Sequence, residues 1–222
     1  MFESYFVAKL AHLLLFAYWL GGDIGVFYSA SYVRNHELSI EARRTAQKIL
    51  IWIDMIPRYC LVLMLPVGYS LANSLGLIKA RPGWLLTTWL LMLAWLVLVN
   101  RVHHYRGTPL GDRLRKIDLL WRWIFFPGLL YDAWQGFQGT GHILTGWLSA
   151  KVVVLALCIF CGIMIRMRGK PMAPALQQIF ASGSTPELEA TVRRTFGKTR
   201  PFVLSIWGLL VVAAWLGISK PF

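Results

Sequence analysis

The sequence predicts an all-α protein, a polytopic membrane helix bundle with about six transmembrane helices. Of its 222 residues, 57% are hydrophobic and only 15% are charged. Several apolar stretches exceed the roughly eighteen residues that indicate a membrane-spanning helix. Short segments rich in lysine and arginine separate these stretches, and we find no linker or internal repeat. A single transmembrane domain covering residues 1–222 is therefore expected.

The apolar stretches define six predicted spans. Their approximate ranges are 5–32, 49–75, 84–102, 119–137, 143–165 and 201–219. No basic region or small-residue cleavage site accompanies the first stretch, so we interpret it as a retained span and not as a signal peptide. Arg122, Pro127 and Asp132 interrupt the fourth stretch, which favours a broken or partly interfacial helix there.

The net charge of +13 follows the pattern of a bacterial inner-membrane protein. Basic residues are concentrated after the first, third and fifth spans, and such segments face the cytoplasm. Both termini are therefore expected outside. Because the basic residues alternate with the spans instead of forming one patch, we exclude a nucleic-acid partner and expect contact with membrane lipid.

Local signals predict helix boundaries beyond the apolar stretches. Ser39 should begin an amphipathic helix that continues directly into the second span. Thr185 followed by Pro186 should begin another helix, which Gly197 would close. Within the second span, Pro57 and Pro66 each lack a backbone N–H donor and should kink or open the helix. Pro57 lies between Asp54 and Arg58.

The first span carries two groups that are unusual at membrane depth, His12 and Asp23. Together with Trp19 they lie on one helical stripe, roughly 16 Å long at about 1.5 Å per residue. Gly22 leaves space beside this stripe. Ionisable side chains inside a membrane usually face a protein interior or cavity and mark a functional site. Lys151 lies at nearly the same depth as His12, because both of their spans run from outside to inside.

A neutral histidine and a lysine on one level could ligate and hold haem b. We assign His12 as the candidate metal ligand and Lys151 as a second ligand or a partner of the substrate or propionates. Gly22, with its neighbour and Gly146, would make room for the macrocycle. His142 could pair with His12 in a bis-histidine arrangement. The alternatives are a hydrogen-bonded core histidine and a lysine that extends to the outer headgroups.

A second polar set lies near the cytoplasmic face. Its members are Asp23, Asp54, Arg58, Asn100 and Arg101. Asp54 and Arg58 are four residues apart, so they share a helix face and can pair. Buried ions need partners, so the set could serve only to hold the helices together. It could also be the inner lip of a substrate cavity or a proton path in which Asp23 and Arg58 relay charge.

Two motifs carry a resemblance to a known family. The motif WLGG at positions 19–22, preceded by His12, resembles the first helix of the CopD/HemJ group of membrane proteins. The motif GWLSAK at positions 146–151 is similar to the Gly-Trp-Leu-x-x-Lys helix of HemJ-type protoporphyrinogen oxidases. The resemblance implies that His12 binds haem b and that Lys151 is needed for activity.

These observations lead to one expected function and two alternatives. We expect a haem-b-binding inner-membrane oxidoreductase or electron-transfer protein, with HemJ-like porphyrinogen oxidation coupled to a quinone or a respiratory component. The alternatives are a CopD-like copper or small-solute permease and a non-catalytic subunit of a larger complex. Homo-oligomerisation is also left open. The sequence contains no nucleotide-binding loop or hydrolase motif that would support soluble enzyme chemistry.

Overall fold

The protein is an α-helical bundle. Its computed structural model describes residues 2–79 and 81–221, with side chains from residue 5 onward. The helices are α1 (Phe2–Arg34), α2 (Ile40–Ile53), α3 (Met55–Ser74), α4 (Trp84–His104), α5 (Pro109–Phe137), α6 (Gly146–Arg168), α7 (Met172–Ser182) and α8 (Pro186–Ser219). The all-α prediction is thereby confirmed.

Apolar composition and length identify this bundle as a multi-pass membrane protein. In the described part of the chain, five helical segments are long and apolar enough to cross a bilayer: Tyr5–Arg34, Ile40–Ser74, Trp84–His104, Gly146–Arg168 and Pro186–Ser219. Large apolar side chains such as Leu13, Leu90 and Trp215 are exposed on the outer faces of these segments. An exposed apolar surface of this kind is suited to lipid.

Two loops meet at one end of the bundle, which we call the bridge end. An isolated antiparallel bridge joins Ile78 to Ile143. The backbone N–H of Lys79 donates to the carbonyl of His142 at 2.7 Å. The opposite end, which we call the basic end, carries the basic last turns of α1, α4 and α6. By the distribution of positive charge, the basic end is expected to face the cytoplasm.

The fourth predicted span is a continuous helix, and the expectation of a broken helix is wrong. It is not among the five segments that are long and apolar enough to cross a bilayer. α5 begins at the basic end and reaches the bridge end at Phe137, so it runs the length of the bundle beside α4 and α6. Pro127 lies inside it without ending it. The charges of Asp118 and Arg122 are buried among neighbouring helices. Protein groups, and not lipid, therefore surround Arg122, one of the residues that made this stretch look interrupted.

The second predicted span is divided into two helices. Ser39 caps α2 as expected, since its hydroxyl accepts from the N–H of Ala42 at 3.2 Å. The helix continues past residue 49 into the second span and is then interrupted next to Pro57, as expected: α2 ends at Ile53 and α3 begins at Met55. Pro57 explains the position of the break, because proline has no N–H to donate to the carbonyl four residues earlier.

The last helix starts where the sequence predicts and ends much later. Thr185 caps α8 through a 3.3 Å bond from the N–H of Leu188. Gly197 does not close it, because the helix continues through Pro201 to Ser219. Continuing the helix keeps backbone groups paired inside the bilayer, where no water can satisfy them. At about 1.5 Å per residue, a helix of 34 residues is roughly 50 Å long.

A second small core lies at the basic end, where α7 packs against the ends of α1 and α8. Its buried residues are Val33, Ala175, Leu176, Ile179 and Val192. Arg43 of α2 is 1% exposed and joins this region to α8. Its Nε donates to the carbonyl of Val33 at 2.9 Å, and its two terminal nitrogens bind the carboxylate of Glu189 at 2.6 and 3.1 Å.

Two adjacent glycines of α1 give a matched test of the packing between α1 and α3. A Cβ at Gly22 would lie 2.9 Å from Cδ of Pro57, whereas a Cβ at Gly21 would meet nothing within 4 Å. We expect Gly22→Ala to destabilise the fold by about 1–3 kcal/mol through overpacking. Gly21→Ala should be neutral or stabilising by up to about 1 kcal/mol, because alanine favours helix. Melting temperatures in detergent measure both effects, and equal values would contradict this packing.

Candidate functional site

A cavity of about 530 Å³ lies between α1, α3, α6 and α8 and reaches the bridge end. Its walls are mainly apolar, and they include Phe16, Leu65, Val152 and Leu210. Cavities of a few hundred to about 1,000 Å³ with apolar walls and few polar groups are typical sites for small molecules. The polar groups of this cavity therefore decide what it can bind.

Three of the predicted site residues, His12, Trp19 and Lys151, line this one cavity. Trp19 is buried, and its indole neighbours Asp23. Nδ1 of His12 is buried and has no hydrogen-bond partner among the described residues. Lys151 is half-buried and lies within electrostatic range of His12. The two helices thus bring an imidazole ring and an ammonium group to the wall of the same cavity.

Glycines of the opposite helices leave room for these two side chains. A Cβ at Gly68 of α3 would lie 3.3 Å from Cε1 of His12, and a Cβ at Gly217 of α8 would lie 2.8 Å from Nζ of Lys151. Gly22, which the sequence suggested for this purpose, is instead covered by Pro57 and does not line the cavity. A glycine pattern in one sequence does not reveal which helix faces it.

The cavity wall contains only basic charged residues. Lys9 near the start of α1 and Lys220 after α8 line it together with Lys151, and both are exposed where the cavity opens. None of the described lining residues is acidic. Lys9 and Lys220 were not predicted as cavity residues, because lysines at the ends of spans are common and usually contact solvent or lipid headgroups.

No protein-family profile, curated protein or solved structure matches this chain. The residues themselves must therefore indicate the chemistry. Within the described ranges, no group of three or more histidine, cysteine, aspartate or glutamate side chains is arranged to hold a metal ion. His12 is the one histidine among the described cavity-lining residues.

His142 lies outside this cavity, in a polar cluster at the bridge end. The hydroxyl of Tyr69 donates to Oδ2 of Asp132 at 2.5 Å, and Nδ1 of His142 lies 3.3 Å from Oδ1 of the same carboxylate. The His142 ring packs on Trp84, with centroids 4.1 Å apart. Burial lowers the pKa of His142, and the charge of Asp132 opposes this shift. The predicted pairing of His142 with His12 is not seen in this arrangement.

The polar set near the basic end is only partly brought together. Asp54 and Arg58 form an ion pair, as their spacing predicts. Asp23 lies within electrostatic range of both, and its Oδ2 is buried without a partner in the described structure. Asn100 and Arg101 are exposed and do not join this group. Neither Asp23 nor Arg58 lines the cavity that contains His12.

A more deeply buried charge cluster was missed by the sequence analysis. Asp118 of α5 is 0% exposed and receives three contacts. Trp95 donates to it at 2.7 Å, Arg122 at 3.1 Å, and Nη1 of Arg166 lies 2.5 Å from Oδ2. The cluster joins α4, α5 and α6. Its one sequence signal was the spacing of four residues between Asp118 and Arg122 within an apolar stretch.

Removing the central carboxylate of this cluster should strongly destabilise the bundle. In Asp118→Asn the guanidinium of Arg122, which is 3% exposed, loses its counter-charge. Leaving a buried ion without its partner costs about 3–5 kcal/mol. We expect a loss of monodisperse protein on size-exclusion chromatography. Asp112→Asn is the control, because Asp112 is exposed at the start of the same helix. Comparable yields of the two variants would contradict a stabilising role for the cluster.

Proposed function

We propose that this chain is a haem-b-binding oxidoreductase or electron-transfer protein of the bacterial inner membrane, with His12 as the axial ligand. One observation carries the proposal: Nδ1 of His12 is buried beside an apolar cavity and has no hydrogen-bond partner among the described residues. Buried polar atoms are nearly always paired, and leaving one unpaired is unfavourable. A metal ion is a partner that would satisfy an imidazole nitrogen.

The cavity walls suit the remainder of a haem. Most of the lining is apolar, as the macrocycle requires, and Gly68 and Gly217 leave space beside His12 and Lys151. Haem b, when bound, would supply one-electron redox chemistry, whose potential depends on the axial ligand and on burial. Of the residues that line the cavity, His12 would hold the iron and Trp19 would form part of the wall.

Lys151 has two roles that agree with its position. Its ammonium group can hold a carboxylate of the cofactor or substrate, and its deprotonated form could act as a second ligand. Asp23 and the Asp54–Arg58 pair lie toward the basic end from the cavity, where they could relay protons or compensate charge. A buried carboxylate oxygen without a partner, as in Asp23, is suited to accepting a proton.

The sequence motifs refine this proposal. The resemblance of WLGG at 19–22 and GWLSAK at 146–151 to CopD/HemJ-type helices supports HemJ-like porphyrinogen oxidation as the reaction. A membrane quinone or a respiratory component would then accept the electrons. His12 and Lys151, which carry the resemblance, both line the cavity.

The axial ligand can be tested without knowing the substrate. We expect His12→Ala to lose most of its bound haem, measured as haem per chain and as the reduced-minus-oxidised absorption spectrum of protein expressed with added haem. His104→Ala is the control, because His104 is exposed at the end of α4. The control should retain the sharp reduced bands and near-stoichiometric haem of the unsubstituted protein.

Two results would overturn this assignment. Full haem occupancy in a well-folded His12→Ala protein would exclude His12 as the axial ligand. A colourless unsubstituted protein, obtained with good folding and sufficient haem, would exclude the haem protein altogether. Size-exclusion profiles of each variant establish that the fold is intact.

A further inference from the structure

Three ammonium groups from distant parts of the chain surround one apolar cavity. Lys9 belongs to α1, Lys151 to α6, and Lys220 follows the last turn of α8. Lys9 and Lys220 are exposed at the opening, and Lys151 is half-buried within the wall. The fold therefore collects positive charge at the bridge end of a space that is otherwise suited to an apolar molecule.

The described structure offers these lysines no counter-charge. None of them takes part in the ion pairs found among the described side chains. Asp132 lies at the same end of the bundle, but Tyr69 and His142 already contact its two oxygens. By contrast, Arg43, Arg58 and Arg122 at the other end each have a carboxylate partner.

Unpaired cations beside an apolar wall are electrostatically unfavourable. Lys151 is half-buried, and charged groups at membrane depth normally pair with one another or with a ligand. The exposed Lys9 and Lys220 add like charge around the same opening, and like charges repel each other. A ligand with an apolar body and an acidic group would relieve both effects, since its body fills the cavity while its anion contacts the lysines.

We propose that the cavity binds an amphiphilic carboxylate whose acidic group lies at the bridge end between Lys9 and Lys220. Its apolar body extends past Lys151 toward Trp19. The inference requires no iron, and two kinds of molecule share this chemistry: a tetrapyrrole with propionates and a membrane fatty acid. For a bound haem, a case that rests on the proposed function, it fixes the orientation, with the propionates directed to the bridge end.

A fluorescent fatty acid and its ester provide the first test. Parinaric acid and its methyl ester differ only in the anionic group, and binding of each is measured by fluorescence to the full chain in an uncharged detergent. We expect the acid to bind the unsubstituted protein at least tenfold more tightly than the ester. The double variant Lys9→Gln/Lys220→Gln should bind the acid at least tenfold more weakly and the ester unchanged.

The matched control changes the same net charge elsewhere. Lys79→Gln/Lys116→Gln removes two exposed lysines that do not line the cavity, and it should bind the acid like the unsubstituted protein. Since Lys9 and Lys220 are also exposed, both double variants are expected to fold, which melting temperatures verify. Equal binding of acid and ester, binding of neither, or equal effects of the two double variants would each overturn the proposal.

Two further arms identify the source of the anion. Haem and haem dimethyl ester are compared on the same proteins, and a preference for the free acid that Lys9→Gln/Lys220→Gln removes indicates that propionates occupy the opening. Displacement of parinaric acid by phosphatidylglycerol but not by phosphatidylcholine would assign the opening to a lipid phosphate, which contradicts a carboxylate site. Failure of haem binding with the fatty-acid preference intact overturns only the haem proposal, whereas His12-dependent haem binding without any preference for the free acid over the ester, in either the haem or the fatty-acid pair, overturns only this inference.

Discussion

The bundle depends most on the contacts that the carboxylate of Asp118 makes with its neighbours. This carboxylate is completely buried, and groups from α4, α5 and α6 converge on it through Trp95, Arg122 and Arg166. Inside a membrane a charge of this kind is tolerated only when protein groups surround and pair it. The pairing therefore permits a helix as polar as α5 to run through the bundle between two apolar neighbours.

The buried arginines of the basic end differ from the lysines that line the cavity in whether they have a carboxylate partner. At the basic end, arginines such as Arg43 and Arg122 have carboxylate partners, and these pairs hold helices together. At the bridge end, Lys9, Lys151 and Lys220 face a cavity whose described lining has no acid. Lysines that line a cavity and have no carboxylate partner in the described structure are available to an anionic ligand, and the function is proposed for this end of the bundle.

The sequence predicts the fold well because lipid imposes a simple rule on composition. Long apolar stretches identify most of the spans, and local capping identifies the starts of α2 and α8 at Ser39 and Thr185. The predictions fail where tertiary contacts override local signals. Gly197 does not end α8, and α5 is continuous although it contains Asp118, whose carboxylate contacts Arg122 of α5 and also Trp95 and Arg166 of other helices.

The site is predictable only where depth alone determines position. Equal depth on two spans of the same direction suffices to suggest that His12 and Lys151 lie close together, although their role with haem remains a proposal. Tyr69 and Asp132 are 63 residues apart, and no local pattern connects them. The same applies to Gly68 and Gly217, whose importance depends on which side chains face them. These relations arise from the packing of helices and not from any periodicity.

The length of α8 has a mechanical consequence. This one unbroken helix places Val192 in the small core beside α7 and, near its other end, Gly217 against the ammonium group of Lys151. The small core beside α7 and the cavity wall at Lys151 are therefore parts of one continuous helix, so these two regions cannot be positioned independently of each other.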